Sequence, residues 1–201
     1  MEKKRIISGV IILIATIFVL SINVQILDAQ TITRLSIEPQ IIEGTFAPGD
    51  RFTVNCSVFD VVELRHWQFV LFFDPTVLNC TAVWLPSDHV YAGMEFTLPD
   101  HPVINNEIGY VVYCAAADGY WNFDGSGTLC QIEFEVVSCG ESVLGFSEPY
   151  GQDTFLLDDW LDVIPCEVIN GYFDDPAGLP IVSNAGRARW HRKGESVFCH
   201  W

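Results

Sequence analysis

Between residues 30 and 175 this chain has almost no positive charge. Of its 10 basic residues, three precede residue 30 and four follow residue 175, which leaves Arg34, Arg51 and Arg65. Only three of its 26 acidic residues lie in those flanks, so the segment sets 23 acids against three bases, a net of −20. A surface of that sign repels phosphate backbones and anionic headgroups, which excludes nucleic acid and membrane surfaces as its partners. The plain reading is a well-solvated exterior; a sharper one is a salt-rich habitat or divalent-cation binding.

Catalytic equipment is missing too. Histidines are few: His66, His89, His101, His191 and His200. No G-x-S-x-G, H-E-x-x-H or Cys–His signature occurs. Carboxylate pairs can be picked at will from so many acids, so they carry no information. No C-x-x-C pair exists, and zinc is not expected. The loop from Asp118 to Gly125 has Tyr120 where a calcium loop needs an oxygen ligand, so it reads as a turn. With no site visible, neither an enzyme nor a cofactor nor a metal centre is expected. Helical periodicity is also absent after residue 30, which removes helical bundles and α/β folds.

What is present begins with an export signal. Lys3, Lys4 and Arg5 precede an apolar run from Ile6 to Ile22, and Leu27-Asp28-Ala29 is an imperfect small-residue cleavage site. Residues 1–29 read as a secretory signal peptide, or as an uncleaved N-terminal anchor that would be the chain's one membrane attachment. Either reading makes the domain extracellular or cell-surface. From Pro176 the composition turns basic, with Arg187 to Lys193 at its centre, and 176–201 reads as a disordered tail.

Residues 30–175 are enough for one domain with a single core. Strand signals recur throughout it. In the stretch 66–73, Trp67, Phe69, Leu71 and Phe73 alternate with His66, Gln68, Val70 and Phe72. The first set is large and apolar and belongs to a core; the second is mixed and belongs outside. Asp74-Pro75 ends the strand. Further strands are expected at 34–38, 52–58, 78–84, 109–117, 129–137, 141–147 and 163–173, with a short one near 94–98 and a loop over 118–127. About nine strands in two sheets make an all-β jelly-roll sandwich.

Six cysteines fall in the domain: Cys56, Cys80, Cys114, Cys130, Cys139 and Cys166. On an exported chain they are disulfide candidates, up to three bridges, though some could be small buried hydrophobes. Asn55-Cys56-Ser57 and Asn79-Cys80-Thr81 are glycosylation sequons, and the alternation points Asn55 and Asn79 outward.

Three stretches resemble one family. Phe69 to Leu78 is similar to the F-x-x-x-[YF]-D-P-x-x-L stretch of cohesin domains. Gly127 to Val136 is similar to the family's G-x-L-x-x-I-x-F-x-V strand. Leu156-Leu157-Asp158, Ile164-Pro165 and Val168-Ile169-Asn170-Gly171 are similar to its closing hairpin. The resemblance spans about residues 34 to 173 and implies a cohesin-like sandwich that receives dockerin modules. It implies that strands 78–84 and 129–137 are antiparallel neighbours, which favours a Cys80–Cys139 disulfide. It also implies that His66, Gln68, Val70 and Phe72 face the protein partner. The family's matching surface has an Asn and an Asp where this chain has His66 and Gln68, so one carboxylate is missing here. A second reading is direct polysaccharide binding. Trp84, Trp121 and Trp160 are candidates for stacking on sugar rings, with Trp121 and Trp160 preferred because Trp84 fits core packing.

Overall fold

The computed structural model describes residues 32–98, 101–147 and 154–175. The proposed signal peptide or anchor and the basic tail lie outside the described residues. The described chain forms thirteen strands, numbered in chain order, and two mixed sheets. The smaller sheet runs in the order β12 (Cys166–Ile169), β1 (Thr33–Glu38), β3 (Arg51–Leu64), β9 (Phe123–Val136), β5 (Leu78–Trp84). The larger runs β2 (Ile41–Glu43), β13 (Gly171–Asp175), β10 (Gly140–Phe146), β4 (His66–Phe72), β8 (Tyr110–Ala117), β6 (Phe96–Thr97). β11 (Phe155–Leu157) also pairs with β4, and β7 (Val103–Asn105) with β8.

The all-β sandwich is as the sequence leads one to expect, with thirteen strands in place of about nine. Three of the four extra ones, β2, β7 and β11, have three residues each, and the fourth comes from the split of 163–173 into β12 and β13; the short strand expected near 94–98 is β6. Strands that short cannot show an alternation of two.

Alternation in β4 builds one wall of the core. Trp67, Phe69 and Leu71 are at most 1% exposed and face Leu35, Ile37, Ile132 and Phe134 in the same buried cluster. The Trp67 and Phe69 rings stack at 6.0 Å, and the Phe69 ring meets Phe146 edge-on at 5.9 Å. At the other end of the sandwich Phe52 stacks on Phe173 at 5.1 Å, across the two sheets. Burying this many large side chains is what holds two sheets face to face, at about 25 cal/mol per Å² of apolar area removed from water.

A turn and a strand start depend on glycine. Gly109 has a φ of +81°, and its carbonyl accepts the Phe73 N–H at 2.9 Å. A Cβ there would lie 2.1 Å from the Phe73 carbonyl oxygen. Gly171 begins β13, where a Cβ would lie 2.6 Å from Ile37 Cγ2.

Two expected boundaries move. The segment 118–127 is not all loop, because β9 starts at Phe123. β3 carries bulges at Asp60 and Glu63, both at positive φ. Their N–H groups donate to Ser126 Oγ at 3.0 Å and Asp124 Oδ1 at 2.7 Å, so polar side chains extend the ladder. The segment 163–173 is two strands rather than one. β12 joins the smaller sheet and β13 the larger, and the chain crosses at Asn170, whose Oδ1 accepts the Phe146 N–H at 3.1 Å.

Candidate docking face

β4 lies inside the larger sheet, so the outward half of its side chains forms the middle of that sheet's outer face. Register sets its neighbours. Phe72 lies opposite Tyr110, Val70 opposite Val112, Gln68 opposite Cys114 and His66 opposite Ala116. On the flanks Val112 faces Val103 of β7, Phe72 faces Gly145 of β10, and Gln68 faces Phe155 of β11.

At one end of this face, apolar surface is left in water. Phe72 is 46% exposed, and its ring lies 6.3 Å from that of Tyr110. Val143 on β10, and Val103 two strands away opposite Val112, are each more than half exposed. At the other end the face dips into a groove of about 370 Å³, lined by His66, Gln68, Thr97, Cys114, Ala116 and Phe155 among others. His66 Nδ1 is buried there with no hydrogen-bond partner. Burial first, and the Arg65 charge second, hold the His66 pKa below its ordinary value, so the ring is neutral at pH 7. A neutral imidazole beside an apolar groove can pack its ring against a side chain seated there.

Three of the four residues expected to meet a partner therefore have surface to offer: His66, Gln68 and Phe72. Val70 does not. It faces outward and stays outside the core cluster, yet it is only 9% exposed. Its N–H donates to Thr154 Oγ1 at 3.1 Å and its carbonyl accepts the Ser147 N–H at 2.9 Å. The chain therefore closes against β4 at this residue from the side away from β8.

The favoured Cys80–Cys139 disulfide is not formed. Cys56, Cys80, Cys114, Cys130 and Cys166 all carry free thiols. β5 and β9 are antiparallel neighbours as expected, but Leu78 opposes Val136 and Cys80 opposes Phe134. Cys139 lies five residues beyond Phe134, about 17 Å along an extended chain, so it cannot reach Cys80. The Cys80 thiol instead points at the Ala82 carbonyl, 3.8 Å away, and burial pushes its pKa up to about 12.

Asn55 and Asn79 lie on the outer face of the smaller sheet, both half-buried. Asn55 Oδ1 accepts a hydrogen bond from Gln131 Nε2 at 3.0 Å. The tryptophans are dispersed over different elements. Trp67 is core. Trp84 ends β5, opposite Gln131. Trp121 sits in the loop before β9 and Trp160 in the turn before β12, where its N–H donates to Asp158 Oδ1 at 2.8 Å. Trp160 is the more exposed of these two, at 78%.

Sequence reading did not find the β7, β8 and β10 side chains that widen the face. β8 reads YVVYCAAA, apolar on both sides, so alternation cannot say which half is outside.

No family model matches the chain, and no curated protein does. Solved structures do match. A type II cohesin domain from the cellulosome of Acetivibrio cellulolyticus aligns with TM-score 0.57 and 17% identity, over 71% of this chain and 95% of that one. The sixth cohesin of scaffoldin B from the same organism, solved in complex with a mutant dockerin, gives 0.55 and 17%, over 72% and 99%. A non-cellulosomal cohesin from the hyperthermophilic archaeon Archaeoglobus fulgidus gives 0.52 and 17%, over 70% and 88%. The described domain of this chain thus has the cohesin fold.

Proposed function

We propose that this domain is a non-catalytic docking module that receives a protein partner of the dockerin type on the outer face of its larger sheet. The observation that carries the reading is Phe72. A large aromatic on a central strand, nearly half exposed and beside Tyr110, with exposed Val103 and Val143 on the same face, is the kind of apolar patch that partners cover. Several solved domains of the same fold are in complex with dockerins, which supports that class of partner. His66 and Gln68 would supply hydrogen bonds at the edge of the patch, without the carboxylate of the resembling family. Export of the domain, to the cell surface or beyond, is supported by the basic start and apolar run of residues 1–22.

Polysaccharide binding is the competing reading, favoured by the exposure of Trp121 and Trp160. The purified protein, immobilised and offered a panel of dockerin modules beside insoluble polysaccharides, separates the two. Retention of a dockerin supports docking. Binding to polysaccharide alone replaces it with the second reading, and binding to neither refutes both.

A further inference from the structure

β3 and β9, at 14 residues each, are the longest of the described strands, and they are neighbours inside the smaller sheet. Their register sets Cys56 directly opposite Cys130. Both residues are 0% exposed and belong to the core cluster. Burial, and then a hydrogen bond between the two thiols, hold the Cys130 pKa well above its ordinary value. The remaining strand cysteines have other neighbours: Cys80 opposes Phe134, Cys114 opposes Gln68, and Cys166 opposes Thr33. Among the described strand registers this is the one place where cysteine meets cysteine.

The geometry suits a covalent bond. Directly opposed residues of an antiparallel pair have Cα atoms about 4.5–5.5 Å apart, inside the roughly 4.4–6.8 Å span of disulfides. Their Cβ atoms, about 4.5–5.5 Å apart, need only a small pinch to reach the roughly 3.5–4.5 Å that a bridge requires. The ladder shifts register between Cys56 and Ser57, so the backbone beside the pair is already irregular and can take up that movement.

We propose that Cys56 and Cys130 form a dithiol–disulfide couple, present here as the dithiol, which a disulfide-bearing oxidant converts into a cross-strand staple between β3 and β9. The Cys56 thiolate attacks a sulfur of the oxidant's disulfide, forming a mixed disulfide and expelling one thiolate, which takes up the proton Cys56 gave up. The Cys130 thiolate then attacks the Cys56 sulfur, closing the bridge and expelling the second thiolate, which takes up the other proton. Two electrons pass to the oxidant, which ends as two thiols. Neither sulfur touches solvent in the folded domain, and a protonated buried thiol is a poor nucleophile, so exchange occurs while β3 and β9 are apart, during folding or global opening. Once folded, the dithiol resists alkylation and the disulfide resists reduction.

The test is refolding of the full chain from denaturant in a mixture of reduced and oxidised glutathione, followed by alkylation in denaturant and peptide mapping. The expected result is a Cys56–Cys130 linked peptide in most molecules, and a melting temperature about 10 °C above that of protein refolded with a reductant. In C130S the linked peptide should vanish and Cys56 should be recovered alkylated. Full alkylation of both cysteines after oxidative refolding would overturn the proposal. So would Cys56 linked chiefly to a different cysteine. Both of these outcomes are read on the unsubstituted chain, so they hold whether or not C130S folds.

Discussion

Trp67 and Phe72 belong to one strand and face opposite sides of one sheet. The first is 1% exposed and the second 46%. Trp67→Ala should therefore cost about 3–5 kcal/mol in denaturant unfolding, the usual loss for emptying a large aromatic site in a core. Gly109→Ala should cost roughly 1–3 kcal/mol, because its φ is positive and the added Cβ would meet backbone that cannot swing away. His66 gives a pH signature. Its folded pKa lies below the unfolded value of about 6.5, so the unfolded chain binds more protons as pH falls through that window. Stability should be full above about pH 6.5 and decline as pH drops toward the lowered folded value. His89 is shifted the same way, also chiefly by burial. Thermal melts at pH 7.5 and 5.5 should show the decline, and His66→Gln should reduce it. The inward set of β4 was legible in the sequence because its two faces differ in chemistry. The covering of Val70 was not, since it depends on Ser147 and Thr154, far along the chain.

Among the elements, β5 shows how an edge is held. Its ladder slips between Cys80 and Ala82, so Thr81 bulges out and its hydroxyl donates to Glu133 Oε1 at 2.6 Å. Asn106, in the turn between β7 and β8, bonds the residue just before the slip. Its Oδ1 accepts the Cys80 N–H at 2.9 Å, and its Nδ2 donates to the Cys80 carbonyl at 3.0 Å. The side chain acts as a short strand, and it ties a turn of the larger sheet to the edge of the smaller. Asn106→Ala should orphan both backbone groups and cost about 1–3 kcal/mol, measured by chemical denaturation. Hydrogen exchange should show the loss concentrated in β5. Long strands with unlike faces were readable from period two. β2, β7 and β11 were too short, and β8 was apolar on both faces. The start of β9 depended on Asp124 and Ser126 bonding to bulges that no local pattern announces.

On the scale of the whole molecule the two outer faces differ. That of the smaller sheet carries linked polar pairs beside its exposed Trp84: Arg51 bridges Glu133 at 3.2 Å and Glu135 at 2.9 Å, and Gln131 bonds Asn55. The domain's other arginines are also engaged, Arg34 over the Phe59 ring at 4.8 Å and Arg65 with the Gly119 carbonyl. The larger sheet leaves Phe72 and its apolar neighbours wet. Alternation and the resemblance placed this face on β4 in advance. Its width was hidden, because it is assembled from strands distant in sequence.

Docking through the Phe72 face is open to direct measurement. A dockerin module retained by the wild type is titrated calorimetrically against wild type, Phe72→Asp and Thr53→Arg, with thermal melts of all three. Thr53 is exposed on β3 in the other sheet. Docking at Phe72 predicts unchanged melts for both variants, at least about 30-fold weaker binding for Phe72→Asp, and wild-type affinity for Thr53→Arg. A folded Phe72→Asp protein that binds its partner with wild-type affinity would contradict it.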